Sequence, residues 1–290
     1  MFESGGLYHR QPIGFGPAPG PRQGPDGKRF STWGEAEVHF TSIVYNCDRD
    51  SLQALLPEGY EIDGKVERST VLFEVMNLRN LPWLAGRGYN TFGVYANDVV
   101  CTISEERIKA SYLLVLFENM CDPIVTGREE LGFPKVWAEL PDPVREDGHL
   151  VHTASWYGTE FMKLVIPNLQ DRPVEESPSM AKRPYTMPSV EGLLHHRYVP
   201  AVGQPGKYDA SYPIFVPGGG DRKPPIIKFA TPVKESIQDC RLEITTHPWE
   251  RLPTIWNIVD GLAGLKLGDV LEVACQTVAG AGDVAGVRRI

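Results

Sequence analysis

Gly127-Arg128-Glu129-Glu130-Leu131-Gly132-Phe133-Pro134-Lys135-Val136-Trp137 is the stretch on which the reading of this chain turns. A helix predicted over about Pro123–Glu130 stops before Gly132, because glycine and proline close together end helical hydrogen bonding. Pro134 fixes its own φ and drives Phe133 toward extended backbone, so Lys135 should open a strand and project to one face. If that face is interior, an amine flanked by Phe133, Val136 and Trp137 is desolvated. Burial can lower a lysine pKa from about 10.4 by ~3–5 units, and the neutral amine is the nucleophile. Such an amine attacks a carbonyl to give an iminium, whose nitrogen accepts the electrons of a breaking neighbouring bond. Read locally, the competing assignment is a surface lysine whose stem snorkels along apolar neighbours.

Outward from this segment the chain reads as strands. Ala36, Val38, Phe40, Ser42 and Val44 alternate, and Asp48 then caps a short helix carrying Leu52, Leu55 and Leu56 before Pro57. Further extended stretches are predicted at Thr70–Leu78, Phe92–Ile103, Ala110–Phe117, Leu150–Tyr157, Glu160–Ile166, Ile226–Val233 and Val270–Val278, with one more helix over Leu252–Leu265. Many short strands with few short helices predict a mainly β (α+β) fold, an antiparallel sheet or barrel. Residues 1–34, with the Gly/Pro-rich run Gly14–Pro21, are expected to form an arm or wrapping loop ahead of one domain over 35–290. Within it, about 169–225 is rich in proline and carries Gly218-Gly219-Gly220, and is expected to be an irregular insertion able to act as a lid.

Composition limits the partners. With 29 Lys+Arg against 37 Asp+Glu, the net charge of −8 argues against nucleic acid, whose non-specific binding needs clustered cations. No run reaches the ~18 apolar residues of a membrane span, and the first residues resemble no secretion signal, so a cytoplasmic protein without a membrane partner is expected. Neither the adjacent His195-His196 nor His149 and His152, which alternate across a predicted strand, has the spacing of a metal site. Five scattered cysteines without Cys-x-x-Cys are expected to be buried free thiols. Gly280–Gly286 lacks a following helix and Gly218-Gly219-Gly220-Asp221 lacks a P-loop lysine, so no nucleotide cofactor is indicated.

Five motifs in order resemble the acetoacetate decarboxylase family. They are Ile43-Val44-Tyr45 with Asp50, Leu52 and Leu56-Pro57-Glu58; Phe73-Glu74-Val75-Met76; Gly127-Arg128-Glu129 with Phe133-Pro134-Lys135; Lys163-Leu164-Val165-Ile166-Pro167-Asn168; and the helix around Leu252-Pro253. The likeness spans about 36–170 and 226–275. It implies a closed, cone-like antiparallel β-barrel around an apolar cavity, homo-oligomeric assembly, a small-molecule oxo substrate, and no metal or organic cofactor. It also implies that Lys135 is the Schiff-base lysine and Glu74 a carboxylate facing it. Lysine activated by an apolar site is the type chemistry of that family.

Three positions depart from the family. Val136 stands where it carries a second lysine, Val38 where it carries an arginine, and Thr91 where it carries a glutamate. Loss of a cation and an anion together avoids one uncompensated buried charge, at ~3–5 kcal/mol, and weakens the case for a small carboxylate such as acetoacetate. Tyr89, Phe133 and Arg128 are further expected pocket residues. His195 is a candidate acid or base on the lid, Arg29 and Arg87 are loop cations available as replacements, and Tyr95 could add a hydroxyl. The expected activity is that of a carbon–carbon lyase acting on a β-keto acid or larger, polyketide-like oxo compound. The alternative is a barrel that binds a hydrophobic ligand without an imine.

Overall fold

Period-two alternation sorts the side chains of the long strands onto two faces, and both faces are covered. The structure is a computed structural model that describes residues 5–30, 33–176, 192–218, 225–284 and 286–290. Its first half contains β1 (Glu37–Cys47), α1 (Arg49–Gln53), β2 (Tyr60–Ile62), β3 (Thr70–Leu81), β4 (Arg87–Cys101), β5 (Lys109–Glu118), α2 (Cys121–Thr126) and β6 (Lys135–Trp137). There follow β7 (Val144–Glu146), β8 (His149–Trp156), β9 (Thr159–Ile166), β10 (Leu169–Arg172), β11 (Gly192–Pro200) and β12 (Tyr208–Pro217). The chain ends with β13 (Ile226–Pro232), β14 (Arg241–Ile244), α3 (Trp256–Ala263), β15 (Leu267–Ala279) and β16 (Arg288–Arg289).

Twelve strands form the large sheet in the order β10-β13-β15-β1-β3-β4-β5-β11-β12-β16, with β2 on β4 and β6 on β5; β14-β9-β8-β7 form a second sheet. The fold is mainly β with few helices. The pairing order has two ends, so closure into the expected barrel is not shown, and the sheet is not purely antiparallel because β6 and β11 both run parallel to β5.

One face of the large sheet packs on the small sheet. An aromatic ladder runs through it, from Phe73 to Phe92 at 6.2 Å, Phe92 to Phe117 at 5.8 Å, and Phe117 to Phe161 of β9 at 5.2 Å between ring centroids. α3 adds Val259 and Leu262 to this core. The opposite face carries a smaller apolar cluster with Val44, Leu72, Leu113, Leu116, Phe133 and Leu193. The candidate site lies on that face.

Two expectations are corrected here. The stretch 169–225 is no structureless insertion: β10, β11 and β12 all belong to the large sheet, and the hairpin β11–β12 carries its register from Gly192–Pro217 to Pro200–Tyr208. Residues 177–191 and 219–224, including Pro178, Pro184, Pro188, Gly219 and Gly220 of the lid expectation, lie outside the described residues. Cysteine burial is also incomplete, because Cys121 is exposed at the start of α2 and Cys275 is half-buried. In the N-terminal segment, residues 20–24 are buried. Among the described residues no helix is long and apolar enough to cross a membrane.

Candidate active site

Strand register places the reactive groups in rows. Ser42 pairs with Glu74, Glu74 with Gly93, Gly93 with Leu116, and Leu116 with Lys135. Glu74 and Lys135 thus stand in one cross-strand row, three strands and about 14 Å of backbone apart at ~4.8 Å per strand. The neighbouring row on the same face is Phe40, Met76, Thr91 and Glu118. Side chains from both rows converge on one cavity of about 410 Å³, a size typical of small-molecule sites (~300–1,000 Å³), walled by Phe40, Trp83, Leu113, Leu116, Leu193 and Val278.

Lys135 opens β6, as Pro134 dictates, and its side chain is 11% exposed. Its Nζ lies 2.8 Å from Glu118 Oε1, donates to the Pro123 carbonyl at 3.0 Å, and sits 5.6 Å from the Phe133 ring centroid. Gly127 makes this possible: a Cβ there would come within 2.5 Å of Lys135 Cε and 2.7 Å of Nζ. The expected helix is α2 continued by a π-turn over Gly127–Leu131, ended by Gly132 at φ 74°. Apolar walls alone therefore do not set the amine's surroundings, since a carboxylate pairs with it. Burial pushes the Glu118 carboxyl above the ordinary range, and Lys135 opposes this.

Glu74 is buried, and Tyr95 Oη donates to its Oε1 at 3.3 Å. Gly93 leaves room for that phenol, because a Cβ there would lie 2.7 Å from the Tyr95 ring. Burial pushes the Glu74 carboxyl up to about 7, with the Tyr95 bond opposing, and burial raises the Tyr95 hydroxyl well above its ordinary value. Glu74 Oε2, Thr91 Oγ1 and Glu118 Oε2 are buried without a hydrogen-bond partner.

Lys135, Glu74, Val38, Tyr89, Thr91 and Phe133 all line this cavity. Val136 does not; it packs against the core on the other face of the sheet. Arg128 points outward, its Nη1 donating to the Lys135 carbonyl at 2.8 Å. His195 lies within β11 rather than on a lid, fully buried, its ring 4.4 Å from that of Phe133 and its Nε2 3.0 Å from the Leu131 carbonyl oxygen. Burial lowers its pKa to about 4, so the imidazole is neutral behind the cavity wall.

Sequence reasoning missed two charged groups. Glu118 follows the predicted strand end by one residue, and its parity with Leu116 was the signal that could have placed it. The cation from the arm is Arg22, not Arg29 or Arg87. Arg22 lines the cavity and pairs with Glu130 and, at 2.8 Å, with Asp283; Arg10 pairs with Glu130 as well. Nothing in the local run Pro19–Pro25 signals burial of an arginine.

Comparisons with known proteins identify the fold and the family. A structure described as that of acetoacetate decarboxylase matches with a TM-score of 0.60 at 16% identity, covering 89% of each chain. Acetoacetate decarboxylase from Legionella pneumophila matches at 0.57 and 16% identity over 97% of this chain and 99% of that one. MppR, an enduracididine biosynthesis enzyme solved with pyruvate, matches at 0.56 and 12% identity over 92% and 94%. Curated proteins give no match. The family model for acetoacetate decarboxylase matches residues 11–216, a span that includes Arg22, Glu74, Glu118 and Lys135, and the chain belongs to that family.

Proposed function

We propose that this chain is a carbon–carbon lyase working through a Schiff base on Lys135, with a β-keto acid or a larger oxo compound as substrate. The observation that carries the reading is the Lys135 amine in a cavity it shares with buried Glu74, 2.8 Å from the carboxylate of Glu118. Glu118 takes a proton from the ammonium, the free amine adds to the carbonyl carbon, a second proton passes from nitrogen to the former carbonyl oxygen, and Glu118 returns the first as that oxygen leaves as water. The iminium nitrogen then receives the electron pair of a neighbouring C–C or C–H bond. Glu74, held near 7, is available in both protonation states at neutral pH to exchange a proton with the bound substrate.

Which bond breaks or forms is the finer part of the proposal: decarboxylation, aldol cleavage or condensation, dehydration or cyclisation. MppR has been solved with a condensation product of pyruvate and imidazole 4-carboxaldehyde, which supports keeping condensation among them. Valine at 38 and threonine at 91 weigh against acetoacetate itself.

Imine formation exchanges the carbonyl oxygen with water whatever follows, so washout of oxygen-18 from a labelled ketone isolates this step. Wild-type protein is expected to accelerate washout, and Lys135→Met to reduce it at least about 100-fold. Equal washout in both proteins would contradict the proposal. A second reading draws on the same ion pair, since a buried Lys–Glu contact also serves a purely structural end. In that case the cavity binds a hydrophobic ligand non-covalently, and wild-type protein shows no washout.

A further inference from the structure

The polar groups of this cavity are matched to a donor, not to an anion. Three polar atoms on its lining residues, Glu74 Oε2, Thr91 Oγ1 and Glu118 Oε2, are buried and unpartnered, and two of the three are carboxylate oxygens, which when ionised accept and cannot donate. Thr91 and Glu118 are direct register partners, and Glu74 lies one row away on the neighbouring strand.

The two cations that line the cavity among the described residues are both engaged. Arg22 donates to Glu130, to Asp283 and, at 3.4 Å, to the Thr126 carbonyl, while Lys135 is held by Glu118 and Pro123. In the proposed reaction the lysine nitrogen is consumed in bonding the carbonyl carbon. Among the described residues no cation of the lining is left over to pair with a carboxylate elsewhere on the substrate, and a carboxylate brought beside ionised Glu74 would meet like charge.

We propose that the substrate is a neutral carbonyl compound bearing hydroxyl or amine hydrogen-bond donors on the part that does not react, and that Glu74 and Thr91 receive those donors. This rests on the reading of the cavity as the carbonyl site, and of the two substrate classes named there it selects the larger oxo compound over the β-keto acid. Buried acceptors reject an analogue lacking the donor, because that analogue leaves them unpaired.

Three arylpropanones of one skeleton test it, carrying a para-hydroxyl, para-methoxy or para-carboxylate group. Affinity for the full-length protein is measured by calorimetry at pH 8, and imine formation is measured separately by hydride trapping. The hydroxy compound is expected to bind at least tenfold more tightly than the methoxy compound, with the carboxylate weakest. Thr91→Val and Glu74→Gln should each shrink the ratio of hydroxy to methoxy affinity several-fold. Equal affinities, tighter binding of the carboxylate, or no measurable binding of the hydroxy compound would each overturn the inference. Selective binding without a trapped adduct would instead count against the Schiff base and leave the donor preference standing.

Discussion

At position 127 the backbone is helical, φ −70° and ψ −41°, a conformation in which alanine is favoured over glycine by ~1 kcal/mol. Glycine stands there because the Lys135 side chain fills the space a methyl group would take. Gly127→Ala is therefore expected to push the amine off Glu118, with a net loss of about 3 kcal/mol in chemical denaturation, while hydride trapping at Lys135 falls by about 100-fold; a variant that traps normally would show that the close approach is dispensable. Glu74 gives a second test. Its carboxyl is raised from 4.5 to about 7 in the folded protein, so the folded state holds a proton that the unfolded state loses first. This stabilisation is complete below pH 4.5 and is lost as pH rises through 7, on the order of 3 kcal/mol in all. Denaturant titrations of Glu74→Gln and wild type should diverge over that window, with the variant gaining relative stability as pH rises. Parallel profiles would mean that Glu74 is not buried as described. Lys135 was legible because proline and aromatic neighbours fix its strand, and Glu74 because its flanks alternate. Glu118 was not, since a glutamate at a strand end reads equally well as the start of a solvated turn.

At the scale of elements, the long alternating strands β1, β3, β4, β5, β8, β9, β13 and β15 were readable, whereas the three-residue strands β2 and β7 were too short to show a period. The strands β11 and β12 were not, because buried Leu193 and Leu194 are followed by His195, His196 and Arg197, and Pro213 interrupts the partner strand. Their apolar pattern is set by packing against β5 rather than by period-two alternation. The arm is the other element whose role comes from tertiary contact. Arg22 ties it to Glu130 on the π-turn and to Asp283 near the C-terminus, with side chains 4%, 4% and 21% exposed. Arg22→Ala leaves two carboxylates short of a partner, and a loss of about 3 kcal/mol is expected in chemical denaturation, with the arm cleaved by protease before the sheets. Unchanged stability and unchanged cleavage order would show that the arm is held by its apolar contacts alone.

For the molecule as a whole, the large sheet separates two tasks. One face buries the aromatic ladder against the small sheet and supplies most of the hydrophobic stabilisation. The other tolerates Glu74, Glu118 and Lys135 in its interior, an arrangement that costs stability and is retained where function uses it. Family membership follows from the match over residues 11–216, a span that holds all three of these charged residues. The central claim is that the Lys135 amine bonds covalently to a carbonyl carbon. Incubation with a panel of neutral and acidic ketones, reduction with borodeuteride and peptide mass mapping addresses it at a single atom. The account predicts a deuterated adduct on the peptide that contains Lys135 and on no other; an unmodified Lys135 peptide, under conditions where the ketone demonstrably occupies the cavity, would contradict it.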